Sequence, residues 1–419
     1  MKNIFCFLAL TLVLSFSSIA QYRSLMSSNG DGRILSPVFS QNRFTGGLSA
    51  AYSSSNVHNA LNPASYADAA LTALEVGTSL ESGSYTFRDS VMSSGGLGIN
   101  HFSVLLPLTV GKSGLGFGFH KNANTNYGIT SRNNDPQFGG FDYIQSGNGN
   151  LYHGFVGTGI RFSKLKLGAS VLFNFGNISR DEDIRFPDSV NLPKVRNRSN
   201  TSQFGASYNL GAQYEIPVNK TDQIILGGYY QGSLSNSGTA SILNQNVYTL
   251  NSSTRTVTLQ DTTMDVDVVS ASRYGVGVSY LIKRAMMIGA EFSGMNLNNF
   301  KNNLDTFQPK NAWSFNLGLE YRPSLNREND GRKYFNRVTY RIGAQIGKNE
   351  QSVDGSINEF TAMAGATFPT FTRSIGYITT GFEFQQRNNM GMQNISESVF
   401  TFRLILTFAD KWFIRSKFD

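Results

Sequence analysis

Long stretches of strict apolar–polar alternation restrict this chain more than any other feature of its sequence. Phe204, Ala206, Tyr208, Leu210, Ala212, Tyr214 and Ile216 are separated by Gly205, Ser207, Asn209, Gly211, Gln213 and Glu215. Trp313, Phe315, Leu317, Leu319 and Tyr321 alternate with Ser314, Asn316, Gly318 and Glu320. Phe400, Phe402, Leu404, Leu406 and Phe408 alternate with Thr401, Arg403, Ile405 and Thr407. A period of two marks a strand, whose successive side chains point to opposite faces. A soluble sandwich also alternates. Its strands, however, run about 5–6 residues, whereas tilted membrane strands need about 9–11. The runs here have the membrane length, so the fold class predicted is all-β, a transmembrane antiparallel β-barrel. Closure is obligatory there, because hydrocarbon offers no partner to the N–H and C=O groups of a free edge.

Composition agrees. Only 15% of residues are charged, beside 42 glycines and 18 tyrosines, and no window beyond residue 20 has the apolar length of a spanning helix. The net charge of +8 comes from Lys and Arg scattered through the chain. That distribution suits phosphate groups of outer-membrane lipid and does not favour nucleic acid.

Lys2, the apolar run Ile4–Phe16 and the small-x-small triplet Ser18-Ile19-Ala20 form a secretory signal, with cleavage expected after Ala20. An uncleaved anchor is the alternative, but the run is short for a spanning helix of roughly 20 residues. The single cysteine, Cys6, falls inside this segment, so the exported protein is expected to carry no thiol, disulfide or cysteine metal site.

Fourteen strands are predicted, near 73–85, 97–110, 113–122, 148–162, 165–178, 201–216 and 222–235, then 272–282, 285–294, 312–322, 336–347, 357–369, 374–386 and 397–408. The number is even, as bacterial single-chain barrels require. Short links at Gly111-Lys112, Ser163-Lys164, Val218–Thr221, Lys283-Arg284 and Thr370–Arg373 take turns with longer ones at 86–96, 123–147, 179–200, 236–271, 295–311, 348–356 and 387–396. This is the pattern of tight periplasmic turns and long extracellular loops, with 323–335 as a medium exception. Pro107, Pro217, Pro323 and Pro369 fall at the periplasmic links, where a missing N–H costs no ladder bond. Trp313, Tyr321 and Tyr377 suit the interfacial aromatic girdles. Residues 409–419 follow as a periplasmic tail containing Trp412 and Phe413.

Residues 21–72 alternate poorly and are rich in Ser, Asn, Gly and Ala. A fourteen-strand barrel is wider than the roughly eight-strand limit at which side chains alone fill the interior. The segment is therefore expected inside the lumen as a hatch, the alternative being a trailing periplasmic stretch.

Gly47-Leu48-Ser49-Ala50-Ala51-Tyr52 followed by Asn62-Pro63-Ala64-Ser65 resembles the N-terminal hatch of the long-chain fatty-acid transporter (FadL-type) family. The resemblance covers the fifty N-terminal residues, and the rest of the chain through strand number and order. It implies a hatch in a fourteen-strand barrel and passage of small hydrophobic molecules. Relatives of these transporters serve instead as barrel subunits of the type IX secretion apparatus, so a non-transporting subunit or plug is the competing expectation. By this resemblance Asn62, Pro63 and Ala64 form the gate, although Asn-Pro reads as a turn on any account. The family also has a kink opening the wall at strand three. Here Gly114, Gly116 and Gly118 alternate with Leu115, Phe117 and Phe119, leaving room for the hatch or for a lateral passage.

If apolar residues face lipid, Glu215, Glu291, Glu320, Arg341, Glu383 and Arg403 point inward, since Arg or Lys facing mid-bilayer lipid costs about 2–4 kcal/mol. They read as a lumenal network bracing wall and hatch, or as a polar path. No catalytic constellation is evident: neither Gly-x-Ser-x-Gly nor a phosphate-binding Gly-Lys-Ser/Thr loop occurs. His58, His101, His120 and His153 lie apart without metal-ligand spacing. No enzyme activity, metal or cofactor is expected.

Overall fold

The alternation becomes an inside-out surface. Along one stretch Phe204, Ala206, Tyr208 and Leu210 are exposed, while Gln203, Gly205, Ser207 and Asn209 between them are buried. The computed structural model describes residues 22–28, 30–87, 90–137, 139–187, 192–233, 235–250, 253–298, 300–302, 310–325, 333–349, 357–370, 375–389 and 395–412. The expected signal segment with Cys6, and Phe413 with the remainder of the tail, lie outside these residues.

Fourteen strands close into one antiparallel barrel. They are β1 (Thr72–Phe87), β2 (Ser90–Thr109), β3 (Ser113–Asp135), β4 (Gly139–Phe162), β5 (Leu165–Arg185) and β6 (Lys194–Pro217). Two interrupted strands follow, β7 (Gln223–Gln231 and Ser235–Leu250) and β8 (Ser253–Val269 and Ser272–Ile282). The rest are β9 (Met286–Asn296), β10 (Ala312–Tyr321), β11 (Thr339–Asn349), β12 (Ile357–Pro369), β13 (Ile375–Asn389) and β14 (Ser396–Asp410). Each pairs with its sequence neighbours, and β14 closes on β1 from Ser396↔Thr86 to Asp410↔Thr72.

The outward face is apolar: Leu317 is 49% exposed, Tyr208 50% and Ile342 58%. In water so much open apolar surface would be an aggregation hazard; against lipid it is the stable arrangement. The tight turns adopt left-handed backbone at Gly111, Ser163, Lys283 and Arg284, the geometry of a two-residue hairpin turn.

Several expected loops are not loops. Most of 86–96, 123–147, 179–200 and 236–271 belongs to the ladder: β3 runs 23 residues, β4 and β6 24 each, and β7 pairs with β8 from Ser235↔Val269 to Leu250↔Ser253. Only 9–11 residues are needed to cross the membrane. Beyond it alternation is no longer required, and along Ser253–Thr263 nearly every residue is exposed, so Ser, Thr and Asn sequences that read as loop still form hydrogen-bonded sheet. At the other end, the first strand begins at Thr72 and the last runs through Ala409-Asp410, two residues into the stretch expected as tail.

Candidate functional site

Residues 22–71 pack against the inner face, with short 3₁₀ turns at Leu25–Ser27, Gln41–Thr45 and Pro63–Asp68. Phe44, Ala50, Asn62, Ala64 and Tyr66 are fully buried. A segment with so little regular structure leaves many backbone groups unpaired, and buried ones need partners. Inward-pointing wall residues supply them.

The six charged residues expected to face inward form separate stations rather than one network. Glu291 accepts from the backbone N–H of Ser49 (2.6 Å) and Ala50 (2.7 Å), and from Tyr229 Oη at 3.3 Å. Glu383 lies between Arg43 of the segment, 3.0 Å from Nη2, and Arg403 of β14. Glu320 binds Arg341 Nε at 2.8 Å and accepts from Tyr52 Oη at 3.0 Å. Glu215 pairs with Arg161 and Lys166, which also hold Asp68. Burial alone would raise the Asp68 carboxyl; Lys166 and Arg161, with the Ser53 hydroxyl, outweigh it and hold it below the usual carboxylate range.

Three further anchors escaped the sequence reading. Glu75 accepts from Ser40 Oγ at 2.9 Å, Arg33 pairs with Glu81 at 3.1 Å, and Tyr22 donates to Glu397 at 3.0 Å. Glu75, Glu81, Arg161 and Glu397 share the inward parity of their strands and were findable by it. Arg33, Arg43 and Asp68 sit in irregular backbone, where no periodicity betrays a direction.

The Asn-Pro-Ala motif is seated against the wall. Asn62 Oδ1 caps its 3₁₀ turn by accepting from Ala64 N–H, and Nδ2 donates to Ala50 O at 2.6 Å. Its neighbours are Gly159, Gly168 and Gly211 on β4, β5 and β6. A Cβ on Gly211 would lie 2.0 Å from Asn62 Oδ1, and one on Gly168 2.3 Å from Ala64 N. Gly116 plays the same part on β3, where a Cβ would meet the rings of His58 and Tyr66 at 2.7 and 2.8 Å. At Gly114, Gly116 and Gly118 the ladder is continuous with β2 and β4, and the space at Gly114 and Gly116 is taken by the segment.

An interruption of the wall lies directly above. β2 and β3 pair from Thr109↔Ser113 only as far as His101↔His120, although both continue, to Ser90 and Asp135. Neighbouring ladders place register shifts next to the parting, at Gly77/Thr78 against β2 and at Lys121/Ala123 against β4. Arg33 and Ile34 pair with Asn124 and Ala123 on the vacated edge of β3, Leu35 N–H donates to Asn122 O at 2.8 Å, and Ser24 N–H to Asn126 O at 2.8 Å. Arg23 N–H reaches the other side, 2.7 Å from Ser94 Oγ of β2. The N-terminal segment thus stands between the two parted strands.

The histidines, scattered in sequence, meet in space. His101, His120 and His153 are inward residues of β2, β3 and β4, and with His58 they gather beside Phe39 and Phe155. Burial, reinforced by His101 and His120, pushes the His58 imidazole down to about 3. Among the described residues no group of three or more His, Cys, Asp or Glu is arranged to hold a metal ion. Above the segment lies a partly open chamber of about 170 Å³, its lining including Glu81, Lys121, Arg273, Lys348, Glu359 and Arg387.

A lipid-facing closed sheet with an internally packed N-terminal segment defines the class: a fourteen-strand barrel of the outer-membrane type. The BamG family model matches residues 1–419, and the chain belongs to that family. No curated protein matches it in sequence. Its fold is similar to the Pseudomonas putida toluene transporter TodX (TM-score 0.62, 15% identity, 90% of this chain and 99% of that one). It is also similar to a Pseudomonas aeruginosa FadL homologue (0.60, 11%, 90% and 99%). A third match is the Ralstonia pickettii toluene transporter TbuX (0.59, 14%, 90% and 98%).

Proposed function

We propose that the protein is an outer-membrane channel for small hydrophobic molecules, in which residues 22–71 act as the hatch. The observation that carries this reading is the parting of β2 from β3. Ile99 on β2, above the last shared rung, is still 53% exposed, so the parting overlaps the lipid-facing belt. An apolar molecule leaving there enters hydrocarbon without crossing water, which is the favourable direction for apolar surface. The toluene transporters among the structural matches lend support through shared architecture. Passage requires residues 22–35 to leave the edge of β3, while the Asn62-Pro63-Ala64 turn stays seated. Deleting 22–35 should speed uptake of toluene into proteoliposomes; a rate equal to that of protein-free vesicles, for both parent and deletion, would refute the channel.

One observation favours a second reading. The chamber above the segment sets Arg, Lys and Glu side chains among apolar ones such as Leu35, Val38 and Trp313, a lining less suited to a hydrocarbon than a wholly apolar cup. With the segment clamped at several stations, this suits a non-transporting barrel that serves as a subunit of a protein-secretion complex. Solubilisation in mild detergent separates the readings: a stoichiometric large partner supports the subunit, a monomer carrying a lipid-like molecule supports the channel.

A further inference from the structure

Phe39 occupies a place built from rings. Its centroid lies 4.4 Å from His101, 5.1 Å from His120, 5.9 Å from His58 and 6.0 Å from Phe155. Behind these, His153 meets His120 edge-on at 5.3 Å, and Tyr66 hydrogen-bonds His58 Nε2 at 2.8 Å. Every histidine of the chain is in this cluster. Stacking alone does not call for imidazoles, because phenylalanine gives the same contact without polar atoms to bury.

The polar atoms are poorly served. His58 Nδ1, His101 Nδ1 and His153 Nε2 are buried and have no hydrogen-bond partner among the described residues, although His58, His101 and His153 are each no more than 3% exposed. Buried polar atoms are ordinarily paired. His101 Nε2 stands 2.9 Å from a Glu75 carboxylate oxygen, so Nδ1 is its nitrogen left without a partner. His120 Nδ1 faces the Lys121 carbonyl at 3.2 Å and donates to it. The cage therefore offers aromatic faces together with buried ring nitrogens that have no partner, which a hydroxyl group can serve as donor or as acceptor.

We infer that the Phe39 pocket is a binding site for a single aromatic ring carrying a hydroxyl group, with Phe39 as a resident ring that the ligand displaces. Phe39 can supply the stacking and not the O–H. Access exists on two sides: Phe39 borders the chamber, and the His101↔His120 rung is the last before the wall parts. A ligand seated here would lie between the two. The inference rests on the channel reading only in requiring that the ligand reach the lumen.

Two probes of matched shape test it, p-cresol and p-xylene, which differ by a hydroxyl in place of a methyl. Binding to the full-length protein in detergent is measured by equilibrium dialysis against protein-free micelles. Removing a resident competitor raises apparent affinity by the inverse of the fraction of time the site is free. Phe39→Ala should therefore bind p-cresol at least about tenfold more tightly than the parent, and prefer it to p-xylene. Adding His58→Phe, which keeps a ring and removes the partnerless Nδ1, should cut that preference by about tenfold, the scale of one lost buried hydrogen bond. Equal p-cresol affinity in parent and Phe39→Ala, preference for p-xylene, or a preference untouched by His58→Phe would each overturn the assignment. Heat-modifiable migration on gels confirms folding; if Phe39→Ala does not fold, Phe39→Leu should give the same order at smaller amplitude. Vesicle uptake of p-cresol keeps the two proposals apart. Binding without flux removes the channel and leaves the site, whereas flux without the expected binding pattern removes the site and leaves the channel.

Discussion

Replacing Arg43 by Met should free the central part of the N-terminal segment from the wall without unfolding the barrel. Arg43 places Nε and Nη2 3.1 and 3.0 Å from one oxygen of Glu383, with both side chains about 5% exposed or less. Hydrogen bonds to charged groups contribute about 1.5–3 kcal/mol each, and breaking a buried ion pair by removing one partner costs about 3–5 kcal/mol. Glu383 keeps Arg403 on its other oxygen and is not left bare, which sets the expectation at the lower end, about 3 kcal/mol. At about 1.4 kcal/mol per tenfold, the open population of the segment should rise about 100-fold. Hydrogen exchange followed by mass spectrometry reads this directly, because local openings report their own free energies. Peptides spanning 39–52 should lose about two orders of magnitude of protection, while β5 and β6 keep theirs. Unchanged protection in 39–52 would refute the clamp; equal loss throughout the barrel would show that Arg43 supports the wall rather than the segment.

Leu317→Arg, on the lipid face, should cost about 2–4 kcal/mol and reduce the heat-modifiable form recovered in membranes; the same recovery as the parent would contradict the assignment of faces. Gly116→Leu should push against the rings of His58 and Tyr66 and increase protease cleavage within residues 53–71, leaving barrel migration on gels intact. Docking of the segment should weaken in acid. His58 binds its proton only near pH 3 when docked but near 6.5 when released, so its contribution is complete above about pH 6.5 and is lost as pH falls toward 3. A dye on Ser28→Cys, whose emission changes as the segment leaves, should show release growing over that interval, and His58→Phe should flatten the response.

The strands, their number and the face each turns to lipid were legible in the sequence, because a bilayer imposes one rule on every spanning residue: apolar outward, polar or small inward. Phe204 to Leu210 and Phe400 to Phe408 need no partner to be assigned, and the same parity turns Glu291 and Glu383 away from lipid. The rule lapses where lipid does. Ser235–Leu250 and Ser253–Val269 read as loop, since alternation is no longer required there, and only their mutual pairing makes them sheet. Residues 22–71 carry no period at all, so the placing of Arg43 on Glu383, and of Arg33 and Ile34 on the edge of β3, was decided by tertiary packing. The histidines show this most plainly. Their sequence spacing suggests four unrelated residues; the register of β2, β3 and β4 sets His101 opposite His120 and His120 opposite His153, and the returning segment adds the fourth ring. Periodicity fixes the direction of a side chain from its own strand, whereas a site built by several strands exists only once their register is set.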